Sequence, residues 1–480
     1  FVFGGSETGG DDLRVTPASD LGEAGDGTHP SADFDLTRVA PSAFTIEVSG
    51  VENIQVDGLG GDDRLDASTI PAGLIASVTL TGGIGNDVLS GSQGIDSLFG
   101  GDGDDIIIGN RGNDFGFGEG LPGFEVPEDP GDDRFIWNNG DGADNFFGDE
   151  GDDTFEFNGA EDAADVISIT PGGDDGDFLS ADALGQSFDL TRIDPSAFTI
   201  ETQTIEAFEV NGLGGDDQID ASTLQASAID LTFAGGNGDD DFVIADLIDK
   251  VIDGNDGLDR ILGRGNDSIL DFDEAVDNAI ANITQIELSP NESNSIILDP
   301  ISLERVAGDQ TELVLRADSD DEIEVGEGWQ SGTPETIDGL FHQVLVLGDS
   351  TLRVSSGRPF QNVLASSDVN DDGRISSLDA LLVINTLLSA GTSPVPLGQD
   401  RPTSGVSNFL FQDVNGDGQV SAFDALLIIN EITSQRQMLG SSESIVRVNA
   451  SPISISNEPN QEEESALQIP IQDIDSQRLF

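Results

Sequence analysis

The chain has 480 residues, with 93 acidic and 18 basic side chains, no cysteine and a formal net charge of −75. A charge of this sign and size excludes nucleic acid and anionic membrane surfaces as natural partners and favours cations. The lack of cysteine excludes a disulfide framework and a thiolate metal site. A hydrophobic fraction of 36% argues against disorder for most of the chain. No apolar run approaches the roughly 20 residues that a membrane-spanning helix needs.

A large internal duplication organises the first half of the chain. Residues 34–69 align without gaps to residues 188–223, with 24 of the 36 positions identical. Short alternating apolar stretches, closed by the Gly-rich turn GLGGDD, predict β-strands in both copies. We therefore expect two tandem β units, residues 1–160 and 161–284. Since the first residue is Phe1 rather than Met, and no basic, apolar leader follows it, we also expect the sequence to be the C-terminal part of a longer chain.

Four consecutive nine-residue units run through the first β unit: GGIGNDVLS, GSQGIDSLF, GGDGDDIII and GNRGNDFGF. The sixth position is always Asp, at Asp87, Asp96, Asp105 and Asp114. The eighth position is occupied by Leu89, Leu98, Ile107 and Gly116. Glycines let the backbone turn tightly and aim carbonyl oxygens inward, while the apolar eighth residue lies on a short strand facing a narrow core. Carbonyl and carboxylate oxygens together form the kind of site that Ca²⁺ binds.

These units resemble the RTX, or hemolysin-type, calcium-binding repeat. The resemblance implies a parallel β-roll in which two units form one coil and calcium lies between stacked turns. It would pair Asp87 with Asp105, and Asp96 with Asp114. Less regular turns of the same kind add further candidate ligands: Asp63, Asp133, Asp144, Asp153, Asp217, Asp240, Asp259 and Asp267.

Residues 285–356 contain fewer glycine repeats and more β-like runs, which predicts a compact all-β module. Trp137 and Trp329 lie in apolar β segments, so we predict core positions for them rather than carbohydrate-stacking positions. The two histidines, His29 and His342, fall in separate modules, which argues against Ser-His-Asp catalysis. Paired carboxylates leave glycosidase chemistry open by residue type, but Gly/Asp turns lack the apolar pocket that a raised-pKa acid needs. We therefore do not expect an enzyme.

Two twelve-residue loops, at 368–379 and 413–424, each run into a nearly identical apolar helix. Both loops place oxygen ligands at positions 1, 3, 5, 7 and 12 and glycine at position 6, the pattern of an EF-hand calcium loop. The candidate ligands are Asp368, Asn370, Asp372, Arg374, Asp379, Asp413, Asn415, Asp417, Gln419 and Asp424. Arg374 and Gln419 would contribute backbone carbonyls. The twelfth ligand is Asp where a plain EF-hand has Glu, and no long helix precedes either loop.

Because of these departures, residues 365–436 resemble the dockerin domain, in which a linker joins two loop–helix calcium motifs. The resemblance implies a cohesin-like partner, although Ser377-Leu378 and Ala422-Phe423 differ from the pairs that cohesin-binding dockerins carry at these positions. The apolar helix residues are expected to pack on one another: Leu381, Leu382, Ile384, Leu388, Leu426, Leu427 and Ile429. Residues 437–480 are rich in Ser, Glu, Gln, Asn and Pro and are predicted to form a disordered tail.

The sequence thus predicts a mainly β protein: β-roll or β-solenoid repeats in two tandem units, a small all-β module, a small α-helical dockerin-like domain and a disordered tail. The expected function is calcium binding in a secreted, extracellular structural or adhesive protein, with Ca²⁺ as cofactor. Expected partners are a cohesin-like domain, a cell-surface protein or a polysaccharide. The alternative is the non-catalytic C-terminal part of a secreted polysaccharide-degrading enzyme, anchored through the dockerin-like domain. A third possibility is catalysis within the 480 residues of this sequence.

Overall fold

The computed structural model describes residues 1–17, 34–48, 50–120, 130–172, 187–224, 229–265, 268–273, 275, 279–308, 311–390, 395–396 and 410–445. β-strands are the main secondary structure of these residues. The first fourteen strands are β1 (Val2–Ser6), β2 (Asp12–Pro17), β3 (Phe34–Ala40), β4 (Phe44–Val48), β5 (Asn53–Gly60), β6 (Arg64–Asp66), β7 (Ser77–Ile84), β8 (Val88–Ser90), β9 (Asp96–Asp102), β10 (Ile106–Ile108), β11 (Phe115–Phe117), β12 (Arg134–Asn138), β13 (Asn145–Phe147) and β14 (Thr154–Asn158).

The second half of the chain continues this pattern and then turns helical. The strands are β15 (Val166–Pro171), β16 (Ser187–Asp194), β17 (Phe198–Gln203), β18 (Ala207–Asn211), β19 (Gln218–Asp220), β20 (Asp230–Asn237), β21 (Asp241–Ile244), β22 (Lys250–Asp256), β23 (Arg260–Gly263), β24 (Ile269–Asp271), β25 (Ile280–Ala281), β26 (Gln285–Leu288), β27 (Ser295–Ile297), β28 (Glu312–Arg316), β29 (Glu322–Glu324), β30 (Gln330–Ser331), β31 (Glu335–Ile337), β32 (Leu340–Leu347), β33 (Ser350–Ser355), β34 (Val395–Pro396) and β35 (Gln419–Val420). The helices are α1 (Pro300–Val306), α2 (Ser377–Ala390) and α3 (Ala422–Ile445).

Successive strands of the first half alternate between two long sheets, so that two short strands and two turns make one coil of a parallel β-solenoid. Among the described residues, one sheet has 18 strands and the other has 12, in the order β25-β22-β20-β18-β14-β12-β10-β8-β6-β2-β3-β4. Pairing is parallel and in register: Ile106 lies between Val88 of the coil before and Arg134 of the coil after. The predicted mainly β, parallel solenoid is confirmed.

Each duplicated segment opens with an antiparallel hairpin that interrupts the coils. In the first unit the hairpin consists of three antiparallel strands, β2, β3 and β4, and β2 joins it to the solenoid by pairing in parallel with β6. In the second segment β15, β16 and β17 are inserted between two coils, giving the order β13-β17-β16-β15-β19. These hairpins are the largest irregularity of the solenoid, and the second one separates two runs of stacked turns.

The solenoid acquires a third face in its last coils. There β24, β27 and β29 form a parallel three-stranded sheet, while β26 and β28 extend the 18-stranded sheet from β23. The hairpin β32–β33 closes this end, with β33 parallel to β28. Parallel pairing therefore continues across residues 160/161, from β14 to β18, and across 284/285, from β23 to β26. The domain divisions at these positions remain predictions.

One hydrophobic core runs through the solenoid, from Leu13 to Val354. The eighth-position residues of the nonapeptides, Leu89, Leu98 and Ile107, are fully buried in it because the side chains of a strand alternate between core and solvent. Trp137 is also fully buried and stacks on Phe157, with ring centroids 4.6 Å apart. Trp329 is 7% exposed. Both tryptophans therefore occupy core positions, as predicted.

The C-terminal helices have a separate small core that includes Val369, Val383, Val414, Val420 and Ile428. Four residues expected in this core are instead on the surface: Leu381, Leu388, Leu426 and Ile429, with exposures of 49%, 76%, 48% and 43%. The helical period explains the error, because Ala380 with Val383, and Ala425 with Ile428, take the inward face. Leu382, Ile384 and Leu427 pack at the edge of the core.

Helix α3 continues to Ile445 and so extends into the stretch predicted to be disordered. The rest of that predicted tail lies outside the described residues. None of the described helices is long and apolar enough to cross a membrane.

Candidate calcium sites

The predicted repeat Asp residues stack on one another along one side of the solenoid, each just before a strand of the 12-stranded sheet. The backbone N–H of each donates to Oδ1 of the Asp in the next coil: Asp63 to Asp87 at 2.6 Å, Asp87 to Asp105 at 2.7 Å, and Asp105 to Asp133 at 2.8 Å. We call this series the first ladder and each member a rung. Its rungs are Asp11, Asp63, Asp87, Asp105, Asp133 and Asp153.

The opposite side of the solenoid carries two shorter ladders, whose rungs precede strands of the 18-stranded sheet. The second ladder contains Asp96, Asp114 and Asp144. The third contains Asp165, Asp217, Asp240 and Asp259. Asp87 and Asp105 thus stack in one ladder, and Asp96 and Asp114 in another, which is the pairing that the repeat resemblance implied. Their role as calcium ligands remains a prediction.

Every rung after the first of its ladder, called an interior rung below, leaves its second carboxylate oxygen without a hydrogen-bond partner in the described structure. These Oδ2 atoms are buried and belong to Asp63, Asp87, Asp105, Asp114, Asp133, Asp144, Asp153, Asp217, Asp240 and Asp259. Buried, unpartnered carboxylate oxygens are costly unless a cation or donor compensates them. The first rungs differ, because Asp11, Asp96 and Asp165 accept backbone N–H groups at Oδ2, from Ser6, Ser92 and Ala160.

A glycine borders the unpartnered oxygen at every one of these rungs except Asp144. A side-chain carbon added to Gly82 would collide with Asp87 Oδ2 and with the carbonyl oxygen of Gly100 in the next coil. At Gly212 it would collide with Asp217 Oδ2 and the Gly235 carbonyl. At such glycines a carboxylate oxygen and a carbonyl oxygen converge on one small space, and this donor set fits Ca²⁺. Within the described residues no three His, Cys, Asp or Glu side chains converge on one point, so backbone oxygens must supply much of the coordination.

A fourth series of stacked residues precedes the strands of the three-stranded sheet, close to the predicted ligand Asp267. Asp267 itself lies outside the described residues, but its neighbour Ser268 occupies the rung position before β24, because Leu270 rather than Ile269 enters the core. Ser268 N–H donates to Asn294 Oδ1 at 3.2 Å, and Asn294 N–H donates to Asp321 Oδ1 at 3.0 Å. This fourth series carries mostly uncharged rungs and no unpartnered oxygen in the described residues.

Burial is the main cause of a raised pKa at the rungs, and neighbouring rung carboxylates add to it. It raises the pKa of Asp87 to about 7 and that of Asp105 to about 9. In the second ladder it raises the pKa of Asp114 to about 9, and in the third that of Asp259 to about 7. The metal-free ladders therefore resist ionisation at neutral pH, which a bound divalent cation would reverse.

The metal-free protein is expected to become more stable as the pH falls. Burial raises the pKa of Asp87 to about 7 and that of Asp105 to about 9 in the folded protein, from 3.8 in the unfolded chain, so the folded state binds more protons. The stabilisation is complete below pH 3.8 and is lost as the pH rises through the folded values. The melting temperature of chelator-stripped protein should therefore fall steadily as the pH rises from 5, until the calcium-free solenoid is unfolded at neutral pH. A flat profile, or one that rises with pH, would contradict the burial of these carboxylates.

The two C-terminal loops have matching hydrogen-bond patterns. The carboxylate at position 1 accepts the N–H of the glycine at position 6, Gly373 to Asp368 and Gly418 to Asp413, at 2.7 Å in both. The carboxylate at position 12, Asp379 or Asp424, is fully buried. Position 6 needs glycine because φ is +76° and +79° there.

The structure brings the remaining predicted ligands to these same loops. Asn370 and Asp372 contact each other at 3.1 Å, and Asn415 and Asp417 do so at 2.9 Å. The side chains of Arg374 and Gln419 are exposed, which leaves their backbone carbonyls as the groups available at position 7. Each loop therefore offers only oxygen donors, and this set again fits Ca²⁺.

Fold and donor sets define a β-solenoid with calcium ladders, followed by a domain of two paired calcium loops. Comparison with protein families gives the same result: residues 81–115 and 139–162 match the RTX calcium-binding nonapeptide repeat, and residues 366–433 match the dockerin type I domain. Both families bind calcium, so the predicted repeats, domain and cofactor are confirmed. No curated protein matches the chain. The third ladder lies outside the matched repeat residues.

Proposed function

We propose that this chain is a secreted, calcium-stabilised structural and adhesive protein in which the solenoid is a stiff spacer. The supporting observation is the set of ten buried, unpartnered rung oxygens in the described coils. Stacking of these coils would therefore depend on bound cations. Extracellular calcium modules bind with dissociation constants of about 0.1–1 mM, matched to the calcium outside cells. The solenoid would then be rigid outside the cell and unable to fold where calcium is scarce.

Adhesion can be tested with beads coated with the full chain. We expect retention on insoluble cellulose, chitin or peptidoglycan in about 1 mM Ca²⁺, and release when EGTA is added. Beads carrying the Asp87→Asn/Asp105→Asn/Asp133→Asn variant are the matched control, since this variant keeps the surface but lacks three rung charges. Failure to bind any of these polymers would contradict the adhesive role. Release of soluble sugars by the wild-type chain would contradict our proposal that the protein is not an enzyme.

We also propose that the dockerin domain attaches the chain to a cohesin-like partner. An apolar groove of about 400 Å³ lies between the two helices, lined by Ile384, Leu387, Leu388, Ala422, Ala425, Leu426 and Ile429. At loop position 11, Leu378 and Phe423 are 48% and 53% exposed. Exposed apolar residues clustered on one face favour a protein partner. Binding to a cohesin would also support the alternative, in which this chain is the non-catalytic C-terminal part of a secreted polysaccharide-degrading enzyme and the dockerin domain is its anchor.

Surface plasmon resonance with a purified type I cohesin domain would test this contact. We expect Ca²⁺-dependent binding that Leu388→Glu and Leu426→Glu, both in the groove, weaken at least tenfold, since a buried charge at an apolar interface costs more than about 1.4 kcal/mol. Ile301→Glu is the control, because Ile301 is 69% exposed but lies on α1 of the solenoid. Equal binding by all three variants would show that the groove is not the docking face.

A further inference from the structure

Each of the two tandem units, residues 1–160 and 161–284, contains a ladder whose first rung is built differently from the later rungs. Asp11 and Asp165 occupy equivalent positions, 154 residues apart. Their Oδ2 atoms accept N–H groups from Ser6 and Ala160, both at 2.7 Å, where interior rungs leave Oδ2 unpartnered. No earlier rung of the same ladder donates an N–H to Oδ1, so these oxygens need another donor.

An arginine lies at this oxygen in both copies: Arg38 donates a hydrogen bond to it, whereas Arg192 makes an ion pair without hydrogen-bond geometry. Arg38 and Arg192 are also 154 residues apart, on the equivalent strands β3 and β16. Arg192 Nη2 lies 2.5 Å from Asp165 Oδ1, and the two side chains are 1% and 0% exposed. Arg38 makes the same ion pair with Asp11. Two independent copies of one contact argue against an accident of packing.

The surroundings of Arg192 hold its charge in place. Its guanidinium carbon lies 5.9 Å from the ring centroids of Trp137 and Phe198, and Nη1 donates to Asn139 Oδ1 at 2.8 Å. Strand β16 is the middle strand of the inserted hairpin, between the coil of Asp144 and the coil of Asp165. The arginine therefore stands at the break between the second and third ladders.

We propose that Arg38 and Arg192 are built-in cations that take the place of Ca²⁺ at the first rungs, so that calcium binding begins at Asp63 and Asp217. In Asp11 and Asp165, Oδ2 accepts a backbone N–H and Oδ1 lies in an ion pair with the arginine, so the guanidinium balances the buried charge. Each tandem unit thus has a first coil that needs no calcium at Asp11 or Asp165, and the calcium-bound coils stack on it. The number of bound ions is set by the arginines as well as by the number of aspartates.

The test measures bound calcium in the full chain, by mass spectrometry of the metal after equilibrium dialysis. Arg192→Met keeps an apolar side chain against Trp137 but removes the charge, so Asp165 should recruit about one additional Ca²⁺ per chain. The Arg192→Met/Asp165→Asn variant should return to the wild-type number. Arg260→Met is the control, because Arg260 pairs with Asp241 near the surface, with side chains 37% and 22% exposed.

A folded Arg192→Met protein with the wild-type calcium number would overturn the proposal. So would failure of this variant to fold in saturating Ca²⁺, since calcium should substitute for the guanidinium. Arg38→Met gives an independent test at the other end, with the same expected gain of about one ion. Without calcium at pH 5, where the calcium-free solenoid is expected to be folded, Arg192→Met should melt at a lower temperature than the wild type, while the double variant should recover most of the loss.

Discussion

Removal of calcium is expected to unfold the solenoid at neutral pH. A site whose ligand is present at 100 times its dissociation constant contributes about 2.7 kcal/mol to the free energy of unfolding. Three such sites contribute roughly 8 kcal/mol, which is comparable to the whole stability of a typical domain. With ten interior rungs carrying buried, unpartnered oxygens in the described coils, calcium-free protein should lose most of its far-ultraviolet β signal.

Circular dichroism of the full chain in calcium and in excess EGTA would measure this loss, and added Ca²⁺ should restore the signal. Magnesium is the matched control. It demands a near-octahedral shell at shorter distances and releases its water reluctantly, so an equal concentration of Mg²⁺ should not restore the β signal. An unchanged spectrum and melting temperature in EGTA would mean that the aspartate ladders are held by the protein alone.

The repeat period made the solenoid predictable from the sequence. Four units in register place Leu89, Leu98 and Ile107 in one core and Asp87 above Asp105, because strand alternation and coil stacking follow directly from spacing. The EF-hand spacing located the two C-terminal loops for the same reason. Both signals are local, and both depend on glycine and aspartate at fixed positions.

Features that depend on distant contacts could not be predicted in this way. Arg192 meets Asp165 across an inserted hairpin, and nothing in the spacing of either residue indicates the pair. Ser268 occupies a rung position because Leu270 rather than Ile269 enters the core, and this choice depends on packing. The outward position of Leu388 similarly reflects which face of α2 meets α3.

The second large effect is expected at the centre of the first ladder, where Asp105→Asn should change stability in opposite directions with and without calcium. Asparagine keeps the carbonyl oxygen that accepts the Asp87 N–H at 2.7 Å, but it replaces the unpartnered Oδ2 with an uncharged amide. In calcium the variant loses a charged ligand from a buried site, which should lower the free energy of unfolding by roughly 3–5 kcal/mol.

Without calcium the same substitution should be stabilising. Burial raises the pKa of Asp105 to about 9, so at pH 6, where the calcium-free solenoid is still expected to be folded, the wild type must protonate this carboxyl in order to fold. Asparagine avoids this cost, a gain on the order of a few kcal/mol. The control is Asp102→Asn, a half-exposed carboxylate three residues earlier that should change little in either condition. Urea denaturation with and without Ca²⁺ would measure both signs. Destabilisation by Asp105→Asn in both conditions would show that Oδ2 serves the protein's own packing. An oxygen that faces the metal, by contrast, lowers the free energy of unfolding when the metal is absent and raises it when the metal is bound.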